Sequence, residues 1–192
     1  MQTERQREII EAAIHLIHHK GIQGLTIKNL AQAIGVTEPA VYRHFENKIQ
    51  ILIAILEVFR GNTANIFEQE QFRQVSALEK ITHLFSEHFS TFTANPALAS
   101  VVFSEEIFKN EPLLLDKIMS VMSGNMAILR DIIQEGQANE EIRNDVPAEH
   151  LSWMLMGTLR LYIKNWQLQQ HTMNLKSEGK KLIHSLSRIL LP

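Results

Sequence analysis

Tyr42, Arg43 and His44 stand side by side in the stretch "VTEPAVYRHFENK", Val36 to Lys48. A phenol and an imidazole can donate hydrogen bonds to phosphate oxygens. A guanidinium can do the same or take the paired acceptors on a guanine edge in a DNA major groove. Val41 and Phe45 are four apart and share one face of a helix. With those two docked inward, Thr37, Glu38, Pro39, Ala40, Tyr42, Arg43 and His44 are left outward. The small side chains at the start of that helix let its backbone approach a groove closely. Lys28 and Lys48 flank the same face, and Thr26 and Asn47 head helices whose free N–H groups favour phosphate. The same residues also fit a helical hairpin inside a bundle, with its polar groups simply solvated. Glu4, Glu8, Glu11, Glu38 and Glu46 offset the local lysines and arginines, so composition leaves both readings open.

Other constellations carry less. His15 and His19 have a metal-compatible spacing, but no neighbouring acid completes a set. His83, Glu87 and His88 form a second helical cluster. The chain has no Glu-x-x-His pair, no glycine-rich phosphate loop, no Gly-x-Ser-x-Gly elbow and no His-Glu-x-x-His. No catalytic residue, metal site or cofactor is expected, and the chain reads as a non-enzyme.

The elements that must hold these residues are helices. Apolar residues recur at helical spacing nearly throughout, strand-like alternation is absent, and glycine and proline number 8 and 5. The first helix is expected over Glu4–Lys20, ended by Gly21 and Gly24. Thr26 caps a second, with Ile27, Leu30, Ala31 and Ile34 inward. Gly35 makes a turn, Thr37 caps a third helix with Pro39 in its first turn, and Asn47 caps a fourth carrying Ile51, Ile55, Val58 and Phe59. Past "GNTANIFEQEQFRQV" longer helices are expected at Ser76–Thr93, Pro96–Lys109, Pro112–Ala138, Pro147–His171 and Leu175–Leu190. The fold class is all-α, about nine helices, with a helix-turn-helix head over residues 1–46 and a larger helical bundle over 47–192.

The chain has 192 residues, 45% hydrophobic and 21% charged, with a formal net charge of −2. These are the proportions of a folded globular protein, and any basic surface must be local. The absence of cysteine fits a reducing compartment. The start has no secretory pattern and no apolar run reaches the roughly 20 residues needed to cross a bilayer. A cytoplasmic protein without a membrane partner is expected.

The segment "RQREIIEAAIHLIHHKGIQGLTIKNLAQAIGVTEPAVYRHFENKIQIL" resembles the N-terminal domain of the TetR family of bacterial transcriptional regulators. The likeness is carried by Ile10, Ala12, Ala13, Leu16, Gly21, Leu25, Thr26, Leu30, Ala31, Gly35, Val36, Val41, Tyr42, His44, Phe45 and Lys48. It implies that Thr26, Tyr42, His44 and Lys48 touch phosphates, while Thr37, Glu38, Pro39, Ala40 and Arg43 face bases or backbone. The acid at Glu38 departs from a plain anion-binding end. It either accepts from a cytosine amino group or favours the positive helix N-terminus. The expected function is a homodimeric, ligand-responsive regulator, a repressor released from a palindromic operator by a small molecule. The competing reading is a helical scaffold whose head binds a protein.

The resemblance further implies that the last two helices pair with their copies in a second subunit. "HLSWMLMGTLRLYIKNW" is apolar on more than one side: Leu151, Leu155, Leu159 and Tyr162 on one strip, Trp153, Met156 and Ile163 on another. With Gly157 permitting a close crossing, and Leu182, Leu186 and Ile189 on the last helix, these residues form the expected dimer interface. Phe85, Phe89 and Phe92 make a stripe that Phe103, Met119, Met122 and Met126 can oppose. Methionine-rich walls adapt to varied apolar ligands, so these residues form the candidate effector pocket. His88, Glu105 and Glu106 are its candidate polar contacts. Ordinary core packing is the alternative for this stripe.

Overall fold

The computed structural model describes residues 2–103 and 111–192, which form nine α-helices and no strand. They are α1 (Glu4–Lys20), α2 (Ile27–Ala33), α3 (Glu38–Tyr42), α4 (Lys48–Phe72), α5 (Ala77–Ala94), α6 (Pro96–Val102), α7 (Pro112–Ala138), α8 (Ala148–Leu168) and α9 (Leu175–Leu190). Glu105 and Glu106 lie outside the described residues.

Local chemistry sets most of these boundaries. A reciprocal capping box between Thr3 and Gln6 starts α1, and Ser76 with Glu79 does the same for α5. Asn47 Oδ1 accepts from the Gln50 N–H at the head of α4, and Asn174 caps α9 through the Ser177 N–H. Pro147 is the N-cap of α8, one position outside the helix it was expected to open. The fourth helix is long, as its sequence suggests. It runs 25 residues straight through Gly61, because tertiary burial of Phe59, Thr63 and Phe67 outweighs the roughly 1 kcal/mol a mid-helix glycine costs.

The chain divides into two compact units, Met1–Arg60 with Pro96–Met119, and Gly61–Asn95 with Ser120–Pro192. In the first, α1 contacts α2 and α6, and α2 contacts α3. Its core is Ile9, Ile10, Ala13, Ile17, Leu25, Leu30, Val41 and Phe45, with Leu98 and Val101 also buried. In the second, α9 packs on α5 and on α8, and α5 also meets α8. Gly179 of α9 lies so close to the Phe89 ring that a Cβ there would sit 2.3 Å from it. Lys80, 2% exposed, extends from α5 to the half-exposed carboxylate of Glu135 on α7 at 2.8 Å.

Candidate nucleic-acid interface

The turn between α2 and α3 is built from backbone bonds. Gly35 takes φ +69°, the Val36 N–H donates to the Ala31 carbonyl at 2.9 Å, and the Gly35 N–H reaches the Gln32 carbonyl at 3.4 Å. This is the paired closure of a helix that ends on a left-handed residue. It re-aims the chain so that α3 can begin two residues later. Val41 on α3 is fully buried, and Phe45, which lies three residues past the end of this helix rather than on it as expected, is 8% exposed. The Phe45 N–H still donates to the Val41 carbonyl, so both side chains share the inner face. Burying two such groups is worth about 1.5–3 kcal/mol each, enough to hold a helix too short to persist alone.

The outer face carries the residues singled out from sequence. Thr37, Glu38, Pro39 and Arg43 are exposed, Tyr42 is half exposed, and Ala40 and His44 are partly covered. Thr37 occupies the N-cap position, but its hydroxyl makes no capping bond, unlike the expectation. That leaves the hydroxyl available outward. Thr26 does cap: its Oγ1 accepts from the Asn29 N–H at 3.1 Å, and its own O–H can still donate. Lys28 is exposed on the same helix.

Lys48 differs from the others. Its Nζ donates to the Ile22 carbonyl at 2.9 Å, so it ties the loop after α1 to the head of α4. Asn29, not anticipated as part of the site, fastens the same loop through Nδ2 to the Gly24 carbonyl at 2.9 Å. Its position three after Thr26 was the only clue in the sequence.

The residues expected to line an effector pocket separate. Phe85, His88, Phe89 and Phe92 are buried on α5, and Met122 and Met126 are partly buried on α7. Arg160 Nη1 approaches Met122 Sδ at 3.6 Å. Met119 is 54% exposed and walls no interior, because its position on α7 turns it to solvent. Phe103 is buried in the other compact unit. Phe89 turns toward α8 and α9, meeting Tyr162 with ring centroids 5.9 Å apart and lying against Gly179. A cleft of about 60 Å³ opens between α5 and α9, lined by Ser86, Phe89, Ser90, Lys176, Lys180 and Ile183. His83 and His88 do not converge: His83 Nδ1 lies 2.7 Å from the buried Glu70 carboxylate, whereas His88 Nδ1 meets the Leu84 carbonyl at 2.9 Å.

On α8, Leu151, Leu155, Leu159 and Ile163 are buried within their own subunit. Ile163 therefore leaves the strip to which Trp153 belongs, since ten residues of helix carry it well around the axis. The exposed apolar strip is instead Trp153, Met154, Leu161 and Leu168, with exposed Gly157 among them and Met156 at its margin. On α9, Leu182 and Leu186 are partly covered and Ile189 is 57% exposed. Met154, Leu161 and Leu168 were legible as a seven-residue repeat in the sequence.

Among the described residues the protein is all-helical, with a helix–turn–helix whose second helix shows its polar face to solvent, the arrangement that DNA-binding transcriptional regulators use. Residues 9–55 match the family model described as bacterial regulatory proteins, tetR family, and residues 61–188 match that of the YsiA-like protein, C-terminal region. The chain belongs to the TetR family. It is 26% identical over 179 residues to the fatty acid metabolism regulator protein of Bacillus subtilis, covering 93% of this chain and 92% of that one. It is 25% identical over 148 residues to the HTH-type transcriptional repressor KstR2 of Mycolicibacterium smegmatis, covering 77% and 72%. Among solved structures, FadR of Bacillus halodurans superposes with a TM-score of 0.86 at 24% identity, over 97% of this chain and 96% of that one. FadR of Bacillus subtilis, in complex with stearoyl-CoA, superposes with a TM-score of 0.81 at 25% identity, over 94% and 97%. As a member of that family the protein is a transcriptional regulator and not an enzyme. Among the described residues, no helix is long and apolar enough to cross a membrane.

Proposed function

We propose that the protein is a homodimeric repressor that reads a palindromic operator with α3 and leaves it when an apolar or amphipathic effector binds. The observation that carries this reading is the division of α3 and its flanks, with Val41 and Phe45 sealed inward and Thr37, Glu38, Pro39, Tyr42 and Arg43 open to solvent. One such helix touches few bases. Two related by a two-fold axis span half-sites about one DNA turn, ~34–36 Å, or a multiple of it apart. The second helix comes from a copy docked through the apolar strips of α8 and α9, where Trp153, Met154, Leu161 and Ile189 stand exposed. Lone exposed apolar residues need no explanation, but a row on one helix face does.

Arg43 takes a base edge or phosphate; Thr26, Lys28, Tyr42 and His44 hold phosphates. Lys48 supports the loop beside them through its bond to the Ile22 carbonyl. Glu38 lies in the first turn of α3, where the helix dipole favours an acid. The effector belongs to the second compact unit, whose interior is lined by Phe85, Phe92 and the flexible Met122 and Met126. The stearoyl-CoA bound by the Bacillus subtilis relative supports a long-chain acyl compound as its class.

Binding to the intergenic duplex beside the gene tests this, followed by fluorescence anisotropy across a salt series. Arg43→Ala should weaken the specific duplex by about 1–3 kcal/mol while sparing an unrelated one. Lys28→Ala should weaken both alike and flatten the salt dependence by about one counterion. Failure of both variants to change affinity, or no affinity for any duplex, would leave α3 as a surface for a protein partner.

A further inference from the structure

The cleft between α5 and α9 in the second unit has walls whose chemistry the fold does not use. It measures about 60 Å³ and is lined by Ser86, Phe89, Ser90, Lys176, Lys180 and Ile183. Ser86 and Ser90 stand one helical turn apart on α5, and Lys176 and Lys180 one turn apart on α9. Phe89 and Ile183, both buried, supply the apolar part of the lining. The crossing itself is tight, since Gly179 of α9 rests against the Phe89 ring.

No carboxylate lines the cleft. Glu178, which falls between the two lysines in sequence, pairs with Lys181 at 2.7 Å, and Glu87, next to Ser86, lies 3.8 Å from His83. Lys80, Lys117 and Lys181 each meet a glutamate, whereas Lys176 and Lys180 are exposed and have no ion pair among the described residues. Two like charges one turn apart repel. Lys176 adds to the cost by lying in the first turn of α9, at the positive end of the helix dipole. The hydroxyls are equally uncommitted. Thr93, Ser152 and Ser187 bond back to the carbonyl four residues earlier, but Ser86 and Ser90 make no hydrogen bond among the described residues. The volume is several times the ~10–15 Å³ that one water needs, and far below the ~300–1,000 Å³ of a pocket that encloses a whole ligand. The cleft therefore suits a headgroup.

We propose that this cleft binds a phosphate monoester, whose oxygens accept from Lys176, Lys180 and the Ser86 and Ser90 hydroxyls while its ester carbons rest on Phe89 and Ile183. A carboxylate brings one charge and two oxygens. A phosphate monoester brings a charge of about −1.5 to −2 at neutral pH and three terminal oxygens, which matches two cations and two hydroxyl donors carried on two helices. Bound there, it ties α9 to α5. A soluble metabolite and a lipid headgroup can both present this chemistry. The inference stands on the second unit alone and needs neither the operator nor an effector in the apolar interior.

Calorimetric titration of the full-length protein with hexyl phosphate tests this at about pH 8, where the monoester is a dianion. Hexyl sulfate, with the same chain and a single charge, should bind roughly fivefold more weakly. Lys176→Gln and Lys180→Gln should each weaken hexyl phosphate by about three- to fivefold, as loss of a partly exposed ion pair does. Joint Ser86→Ala and Ser90→Ala should weaken it as well. Arg188→Gln removes the same charge from α9 outside the cleft and should change nothing. Flotation with vesicles of phosphatidic acid, set against phosphatidylglycerol, assigns the source. Capture by phosphatidic acid that both lysine variants abolish marks a lipid, and binding of the soluble ester alone marks a free metabolite. The site is overturned if neither hexyl phosphate nor phosphatidic acid binds, if phosphate and sulfate bind equally, or if Arg188→Gln costs as much as the lysine variants. Each of those results leaves the operator reading intact.

Discussion

Gly61→Ala and Gly179→Ala make one chemical change in two helices, and the structure predicts opposite outcomes. Each adds a methyl group and removes a glycine from a helix interior, a gain of about 1 kcal/mol where nothing interferes. A Cβ at Gly61 meets no atom of the described residues within 4 Å. At Gly179 it would lie 2.3 Å from Cδ2 and 2.6 Å from Cε2 of Phe89. Carbon atoms settle at about 3.5–4.0 Å, so the ring must retreat by about 1.2 Å or α9 must lift from α5. Neighbouring rings on two sides limit that retreat. The Phe89 ring is 1% exposed, and its centroid lies 6.1 Å from that of Phe85 and 5.9 Å from that of Tyr162. The propensity gain is common to both variants and cancels in their difference, which isolates the overpacking cost of about 1–3 kcal/mol.

Gly61→Ala should therefore raise the free energy of unfolding by about 1 kcal/mol, and Gly179→Ala should lower it by up to about 2 kcal/mol. Urea titration followed by circular dichroism reads both, at one fixed protein concentration because subunit association contributes to apparent stability. Equal changes in the two variants would show that α9 does not press its backbone on Phe89, and the packing argument would fail. Gly157→Ala extends the test to the proposed dimer. Its Cβ is also unobstructed within the subunit, so the fold should tolerate it, while sedimentation should show weaker association if α8 crosses its copy at that point.

Glu135→Gln should destabilise the protein by about 1–3 kcal/mol, because it leaves the Lys80 ammonium buried against a neutral partner. Lys80→Met should cost less, since the half-exposed Glu135 carboxylate returns to water, and thermal unfolding of the two variants checks the order. His88 has a folded pKa below its ordinary 6.5, chiefly through burial. The unfolded chain thus binds that proton first, and the stability tied to a neutral His88 is complete above about pH 6.5 and falls as the pH drops below it. His88→Phe should lose less stability than the wild type between about pH 6.5 and 5, measured by urea midpoints across that range.

Much of the head was legible along the chain because its determinants are local. Thr26, Gly35, Asn47 and the Val41–Phe45 pair act within a turn or two of themselves, so spacing alone places α2 and α3 and sorts inward residues from outward ones. The ends of α1, α7 and α9 were legible for the same reason. Lys48 was not, since its bond to Ile22 spans 26 residues and no local pattern foretells it. The effector stripe was misjudged where burial depends on distant partners. A methionine at helical spacing looks the same whether another helix covers it, as for Met122, or solvent does, as for Met119.

The amino-acid order by itself determined an all-helical chain, its family, and the polar face of α3, because capping, helical periodicity and a dense run of fixed spacings need only near neighbours. Tertiary packing decided that Ile163 faces the core while Leu161 faces out, and that Gly179 is a contact point and Gly61 is not. Those outcomes depend on which helices meet and at what register, a relation between residues far apart in the chain that periodicity cannot encode.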